Sequence, residues 1–225
     1  DHRDLHSFPT RRSSDLGPAP QGRGVSGLVL HLLRHGETVP EEPWRFLGQR
    51  EVPLSDTGRV QARWWRTVLA DVPFQVVACS DLARCRETAE ILLEGRNLPL
   101  QVLPGLREIN LGAWDGLSKA EVQARFPGQF QARGADMAGF RPAGGESFQD
   151  LQERAWAALE PLLAGPGPVL VVGHAGVNRA LLCKALGLPL QNLFRLGQDP
   201  GCRNILEWGP QGARLVLLNE RPGTL

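Results

Sequence analysis

The sequence contains no tyrosine and carries almost no net charge. Its 25 Lys and Arg residues are nearly balanced by 24 Asp and Glu residues, so the net charge is +1. Nucleic-acid-binding domains usually carry a clear excess of basic residues. Six tryptophans without any tyrosine do not indicate an aromatic platform for bases either. The composition therefore predicts a protein that has no nucleic-acid partner.

Long apolar runs and grouped cysteines are also missing. No apolar run approaches the roughly 20 residues that a membrane-spanning helix needs, so we expect no membrane association. The four cysteines have no paired spacing, which argues against a zinc site or a disulfide framework; they are Cys79, Cys85, Cys183 and Cys202. We interpret them as small apolar side chains. A reduced, cytoplasmic protein without a bound metal or cofactor follows as the expectation.

The first residues differ in character from the rest of the chain. Residues 7–16 resemble a translated sequencing adapter, so residues 1–16 are predicted to be foreign to the protein. They lack the apolar region of a signal peptide; a native, disordered N-terminus is the alternative. Residues 17–27 are rich in Gly and Pro and indicate a flexible lead-in. Residues 28–225 are long enough for one large domain.

Strand and helix patterns alternate along this domain. Short apolar runs predict strands at 28–33, 74–79, 100–103, 169–172, 204–208 and 214–218. Amphipathic patterns predict helices at 56–70, 81–94, 147–163 and 176–186. Such alternation favours an α/β fold, a three-layer α/β/α sandwich with a mostly parallel central sheet. The last two strands are expected to form an edge pair around Gly209-Pro210-Gln211-Gly212.

Serines precede several of the predicted helices. Ser55 and Ser80 are predicted to cap helices 56–70 and 81–94, and Ser118 begins a capping box for a short helix that ends at Pro127. In helix 56–70 one face carries Val60, Trp64 and Val68. In helix 147–163 the core spacing is stronger, with Phe148, Leu151, Ala155, Leu159 and Leu162. Residues 110–147 are rich in Gly and Pro and predict an insertion arching over the ligand crevice.

Two of the apolar runs end at a histidine. Residues 28–33 are followed by Arg34-His35-Gly36-Glu37-Thr38, and residues 168–172 by Gly173-His174-Ala175-Gly176. Ligands in open α/β sheets bind at the carboxyl ends of the strands. Two histidines and an arginine at such an edge can hold a phosphate and attack it. His31 lies inside the first strand, so we assign it to the core or the sheet surface.

Further motifs follow in a fixed order, and together they carry a family resemblance. They are Thr57-Gly58-Arg59, Ser80 to Glu90 around Arg84, Leu106-Arg107-Glu108, Gly112-Ala113-Trp114-Asp115-Gly116, Gly144-Gly145-Glu146-Ser147 and Gly173 to Arg179. With Arg34-His35-Gly36, this set resembles the histidine phosphatase superfamily, which has a phosphoglycerate mutase-like fold. The resemblance extends from Leu28 to Leu218 and implies a helical insertion over the active site.

The resemblance also implies a role for each motif residue. His35 matches the nucleophile that becomes a phosphohistidine, with its other ring nitrogen held by a main-chain carbonyl. Arg34 and Arg84 match the arginines that bind the phosphate, for which a guanidinium fork is well shaped. His174 matches a second histidine that stabilises the transferring group. Glu108 matches the general acid; a surface ion pair with Arg107 is its structural alternative.

The segment that follows the first motif departs from the family pattern. Many members have an asparagine about three residues after the position of Thr38, and residues 39–44 contain none. Two carboxylates, Glu41 and Glu42, stand in this segment instead. Arg45 and Gly48 still fit the family pattern, so with Thr38 they are expected on the substrate-binding side of the site. Glu51 replaces the usual aspartate.

Within the family, the motifs favour a phosphatase over a mutase. The pattern at residues 112–116 and the His-Ala-Gly-Val sequence at 174–177 are typical of the phosphatases. The C-terminal third is most similar to bacterial α-ribazole phosphatases and the broad-specificity branch. We therefore expect hydrolysis of a small phosphorylated metabolite, with α-ribazole 5′-phosphate as the candidate, by a monomer or homodimer. The alternatives are phosphoglycerate mutase or fructose-2,6-bisphosphatase-like activity, or a non-catalytic relative that binds a phosphorylated ligand.

Overall fold

Six strands form one sheet in the computed structural model, which describes residues 27–165 and 167–223. They are β1 (Val29–Arg34), β2 (Val76–Cys79), β3 (Leu100–Val102), β4 (Val169–Gly173), β5 (Arg203–Gly209) and β6 (Gly212–Glu220). Their order across the sheet is β3-β2-β4-β1-β5-β6. Residues 1–16 and 17–26, for which a foreign segment and a lead-in are expected, lie outside the described residues.

The pairing of the strands agrees with the predicted sheet. β1 pairs with β4, β4 with β2, and β2 with β3 in parallel. β5 runs antiparallel to β1 and pairs with β6 across the turn between Gly209 and Gly212, so the predicted edge pair is confirmed. The carboxyl ends of β1 and β4 therefore meet at the same edge, because Arg34 is opposite Gly173 in the register.

Helices cover both faces of this sheet. The helices are α1 (Asp56–Val68), α2 (Ala83–Leu93), α3 (Lys119–Arg125), α4 (Gln129–Ala135), α5 (Phe148–Leu163) and α6 (Ala175–Leu186). Leu33, Val77, Cys79, Leu170 and Val172 belong to one buried cluster with α1 and α2. The alternate residues Leu30, Leu32, Ala78, Val169 and Val171 belong to a second cluster with α5 and α6. The three-layer α/β/α sandwich is thus confirmed, because side chains of one strand alternate between the two faces.

None of the helices within the described ranges is both long and apolar enough to span a bilayer.

The helix that carries the strongest core spacing behaves as expected: the five predicted core residues of α5 are all buried.

The start of α2 differs from the prediction. The helix begins at Ala83, and Ser80 does not cap it; its hydroxyl accepts a bond from the Leu82 N–H at 3.3 Å instead. The free N–H of Ala83 donates to the Glu51 carboxylate at 3.1 Å. A negative charge is favourable at this position of a helix, so a residue distant in sequence replaces the local cap. The cap predicted at Ser55 and the capping box predicted at Ser118 are present, and Ser147 also caps α5.

The buried face of α1 also differs from the prediction. Val60 and Val68 are 41% and 44% exposed, and the row that faces the sheet contains Gly58, Ala62 and Trp65. Close packing fixes this rotation, since a Cβ at Gly58 would lie only 2.1 Å from the carbonyl oxygen of Glu37. Gly58 therefore has to face the chain at Glu37. Trp65 lies on the same face of the helix and is buried as well.

The segment 110–147 forms the predicted helical insertion, with α3 and the unpredicted helix α4. The indole of Trp114 is completely buried there, in contact with the rings of Phe46, Phe130 and Phe140. These aromatic contacts hold the insertion against the body of the domain without strands.

The buried ring of His31 predicts an acid-sensitive fold. Its Nδ1 has no hydrogen-bond partner among the described residues, and its ring packs on Phe74 with 5.1 Å between centroids. Burial, followed by the charge of Arg203, lowers the pKa of His31 from 6.5 to about 4. The folded state therefore favours the neutral ring, so this contribution is complete above pH 6.5 and is lost as the pH falls towards 4.

His31→Phe should remove this contribution and keep the ring contact. Between about pH 7.5 and about pH 5.5, the free energy of unfolding of the wild type should fall by about 1 kcal/mol more than that of the variant. Urea denaturation at both pH values measures the difference, and contributions from other histidines cancel because both proteins contain them. Equal losses in the two proteins would contradict the assignment.

Candidate active site

A cavity of about 380 Å³ opens at the carboxyl ends of β1 and β4. Six of the residues predicted for the site line it: Arg34, His35, Thr38, Arg45, Arg84 and Glu108. His174 lies beside the cavity, with its ring centroid 5.2 Å from that of His35. Gly48 lies behind Arg84, away from the cavity wall. The topology thus brings together residues that are up to 140 positions apart in the sequence.

Backbone hydrogen bonds on both sides hold His35 at the end of β1. Its N–H donates to the Gly173 carbonyl at 3.0 Å, and its carbonyl accepts a bond from the Gly201 N–H at 2.9 Å. The next residue, Gly36, packs against Gly58, where a Cβ would lie 2.4 Å from a carbonyl oxygen. The glycine of the motif is needed for this close approach.

The ring of His35 is held in one tautomer. Its Nδ1 lies 2.7 Å from the Gly36 carbonyl oxygen. A carbonyl can only accept, so Nδ1 carries the proton and Nε2 keeps a free lone pair. Burial, followed by the charges of Arg34 and Arg84, lowers the pKa of His35 well below its usual value. A neutral imidazole with a fixed, unprotonated nitrogen is the form required of a nucleophile.

Arg84 is an almost completely buried cation held by carbonyl groups. Its Nη1 and Nη2 donate to the carbonyls of Arg50 and Gly48 at 2.9 and 2.8 Å, and its Nε has no partner. The loop that supplies these carbonyls is fixed by Asp115, whose carboxylate accepts bonds from the N–H groups of residues 48–50. Because the described residues offer Arg84 no carboxylate, the guanidinium is available to a bound anion.

Arg34 is held in a similar way on the other side of His35. Its Nη1 donates to the Gln198 carbonyl at 2.6 Å, while its buried Nε has no partner among the described residues. The Gln198 side chain is fixed in turn by Asn178 and Asn204, both completely buried. A buried polar network therefore orients this cation, and its sequence positions gave no sign of it.

Glu108 lies against the first turn of α6. Its Oε2 accepts a bond from the Gly176 N–H at 2.9 Å, and its Oε1 accepts one from the Ile109 N–H at 2.9 Å. A Cβ at Gly176 would lie 2.3 Å from Glu108 Oε1, so a larger residue at position 176 would displace the carboxylate. Arg107 points away from this carboxylate and forms an ion pair with Asp81, at 2.8 Å from its Nε to Oδ1. The Glu108 carboxylate is therefore not paired with Arg107, and it lines the cavity.

His174 is completely buried beside His35 and does not line the cavity itself. Its Nε2 lies 3.3 Å from the Sγ of Cys85, a contact that the sequence did not suggest. Burial and the charges of Arg84 and His35 lower the pKa of His174 well below its usual value, which favours the neutral ring. The four cysteines are all buried and free.

The remaining substrate-side residues lie around the mouth of the cavity. Arg45 lines it and donates to Glu121 Oε2 at 2.8 Å, while Thr38 forms an isolated bridge with Leu54. Glu41 also lines the cavity, but its carboxylate forms an ion pair with Arg50. That pairing neutralises a carboxylate that would otherwise repel a phosphate.

Two cavity-lining arginines had no predicted role. Arg133 belongs to α4, a helix for which the sequence gave no clear pattern. Arg179 stands in α6, four residues after the cavity-lining Ala175, so helical spacing could have placed it on the same face.

Known proteins are similar to this chain in sequence and in fold. The chain is 32% identical over 194 residues to the adenosylcobalamin/alpha-ribazole phosphatase of Salmonella typhimurium, covering 85% of this chain and 96% of the relative. It is 37% identical over 177 residues to the glucosyl-3-phosphoglycerate phosphatase of Mycolicibacterium vanbaalenii, covering 75% and 78%. The crystal structure of the alpha-ribazole phosphatase from Shigella flexneri superposes with a TM-score of 0.80 at 30% identity, covering 88% and 99%.

The family model of the histidine phosphatase superfamily (branch 1) matches residues 30–221. This range includes the whole sheet except Val29 and every cavity-lining residue described above. The relatives of stated activity are phosphatases, and so this chain is a phosphatase enzyme of its family. The chain belongs to the histidine phosphatase superfamily.

Proposed function

We propose that the protein hydrolyses a phosphomonoester of a small metabolite through a phosphohistidine at Nε2 of His35. The observation that carries this proposal is the hydrogen bond from His35 Nδ1 to the Gly36 carbonyl, between two buried arginines that have no carboxylate partner among the described residues. It leaves one ring nitrogen unprotonated at the point where Arg34 and Arg84 can hold a phosphate.

In the first step the lone pair of His35 Nε2 attacks phosphorus, and the bond from phosphorus to the ester oxygen breaks. Glu108 gives its proton to the departing alcohol oxygen. Arg34, Arg84 and the positive N-terminal end of α6 hold the phosphate oxygens in place. Fixed charges of this kind, each typically worth about 2.7 to 4 kcal/mol of the barrier, supply most of the catalysis.

In the second step water attacks phosphorus on the face opposite His35. The Glu108 carboxylate accepts a proton from this water, and the bond from phosphorus to nitrogen breaks. Inorganic phosphate leaves, His35 returns to its neutral form, and Glu108 is again protonated for the next cycle. Because the side chains provide all proton transfers, the proposal includes no cofactor.

Two phosphomonoesters are candidate substrates. α-Ribazole 5′-phosphate is supported by the similarity of 85% of this chain to an adenosylcobalamin/alpha-ribazole phosphatase. Glucosyl-3-phosphoglycerate is supported by the 37% identity to a phosphatase named for it.

The four unpaired cysteines and the near-zero net charge support a reducing, cytoplasmic setting without nucleic acid.

A phosphate-release assay tests the proposed activity. We expect the wild type to release phosphate from p-nitrophenyl phosphate and from at least one candidate substrate, with unchanged rates in EDTA, since the sequence has no grouped metal ligands. Tight binding of phosphate without any release would identify a non-catalytic relative. Conversion of 3-phosphoglycerate to its isomer with little phosphate release would identify a mutase. A rate that falls in EDTA and returns with magnesium would contradict the metal-free mechanism.

A further inference from the structure

Two guanidinium groups in the cavity have no part in the chemistry proposed for His35. Arg133 of α4 and Arg179 of α6 both line the cavity, as does Phe194. The Cζ of Arg133 lies 5.9 Å from the centre of the Phe194 ring, and that of Arg179 lies 5.2 Å from it. The two cations therefore flank one aromatic ring on the same wall.

Arg133 is surrounded by rings and has no anionic partner in the described part of the chain. Its Cζ lies 5.8 to 6.0 Å from the ring centres of Phe46, Trp114 and Phe148. Burial is the sole cause that lowers the pKa of Arg133, because no carboxylate of the described chain offsets it. The aromatic contacts fix the guanidinium plane, and its N–H donors remain available to a molecule in the cavity.

Arg179 is held at one nitrogen, and its other nitrogens have no hydrogen-bond partner among the residues that the structure describes. Its Nε donates to the Leu196 carbonyl at 2.9 Å, which points the terminal nitrogens away from the backbone. Burial, followed by the like charge of Arg34, lowers the pKa of Arg179. Both effects disfavour the cation; the charges of Glu108 and Asp199 offset them only in part, and Arg179 forms no ion pair within the described ranges.

With a phosphate bound beside His35, the remaining charges of the cavity favour the binding of a second anion. A phosphate held by Arg34 and Arg84 uses the donors next to His35, while Glu41 is already paired with Arg50. Arg133 and Arg179 would remain half-buried cations without a counterion, an arrangement that is costly unless a ligand supplies one. A carboxylate or a phosphate group accepts two parallel bonds from a guanidinium fork and meets this need.

We propose that Arg133 and Arg179 form a second anion subsite, so that the preferred substrate is a phosphomonoester carrying a second anionic group. The inference rests on the proposed function, because the phosphate position beside His35 defines the first subsite. It distinguishes the two candidates, since a phosphoglycerate ester carries a carboxylate and the ribazole part of the other candidate carries none.

Matched substrate pairs test the subsite. 3-Phosphoglycerate and glycerol 3-phosphate differ in a carboxylate, and fructose 1,6-bisphosphate and fructose 6-phosphate differ in a second phosphate. We expect kcat/KM for phosphate release to be about tenfold or more higher for the anionic member of at least one pair. The pair that shows the preference identifies the group. Arg133→Met and Arg179→Met should each reduce the ratio by about fivefold or more.

A control and a binding measurement separate the possible failures. Arg195→Met removes an exposed charge next to Phe194, outside the cavity lining, and should leave the ratio unchanged. Calorimetric titration of His35→Ala with each pair measures the preference without turnover. A ratio near one in both pairs, by turnover and by binding, would overturn the subsite and leave the phosphatase activity standing. If His35→Ala shows the binding preference but the wild type releases no phosphate, the subsite is supported and the proposed function is contradicted.

Discussion

His35→Ala is expected to reduce phosphate release by on the order of 10⁴-fold or more, because no second histidine among the described residues lines the cavity to take the phosphoryl group. His35 Nε2 is the free ring nitrogen of a histidine that lines the cavity, while the neighbouring His174 is completely buried and touches Cys85. Rapid acid quenching with a labelled substrate should trap an acid-labile phosphoenzyme on the wild type and none on the variant.

His31→Phe provides the matched control for this prediction. It also removes a buried histidine of β1, but this ring packs on Phe74 and does not line the cavity. This control should keep wild-type turnover, and circular dichroism should show both variants folded. Substantial turnover by a folded His35→Ala protein would reject the nucleophile assignment.

Glu108→Gln is expected to slow the hydrolysis of some phosphate esters more than others, depending on the pKa of the leaving group. Alkyl phosphates need a proton on the departing oxygen, so their kcat should fall by about 10² to 10⁴-fold. p-Nitrophenol leaves readily as an anion, so kcat for p-nitrophenyl phosphate should fall by less than about tenfold. Glutamine keeps the size of the side chain and one of its two acceptor oxygens, so it retains one of the two bonds from the N–H groups of Ile109 and Gly176.

The dependence of kcat on leaving-group pKa measures this effect across a series of phosphate esters. Glu153→Gln, an exposed carboxylate on α5, is the control and should leave the series unchanged. Equal slowing of alkyl and p-nitrophenyl esters by Glu108→Gln would argue against proton donation and for a role in binding alone.

Local sequence patterns predicted the layers of the fold because each strand or long helix carries its own periodicity. Every core position predicted in α5 is buried, since its apolar spacing allows only one rotation. The apolar pattern of α1 fits two orientations of the helix about its axis, because Trp64 and Trp65 are adjacent and either could lie on the buried face. Packing of Gly58 against the chain at Glu37 decided between them, and this contact joins residues 21 positions apart.

The site shows the same division. The motifs that contain Arg34, His35, Arg84, Glu108 and His174 were visible in the sequence, and parallel strand order brings them to one edge. Their orientation was not visible. Arg84 points into the cavity because Asp115 holds a loop whose carbonyls hold the guanidinium. Arg133 reaches the cavity through a helix that the sequence did not predict.

The sequence by itself determined the α/β class, the strand ends at which the two histidines stand, and the family, because these depend on short-range periodicity and on the order of motifs. Only the tertiary structure decided which carbonyl holds His35, the partners of each arginine and the cations at the cavity wall that have no counterion among the described residues. Hydrogen bonds and charge pairs of this kind join residues far apart in the chain, and no local pattern records which of them meet.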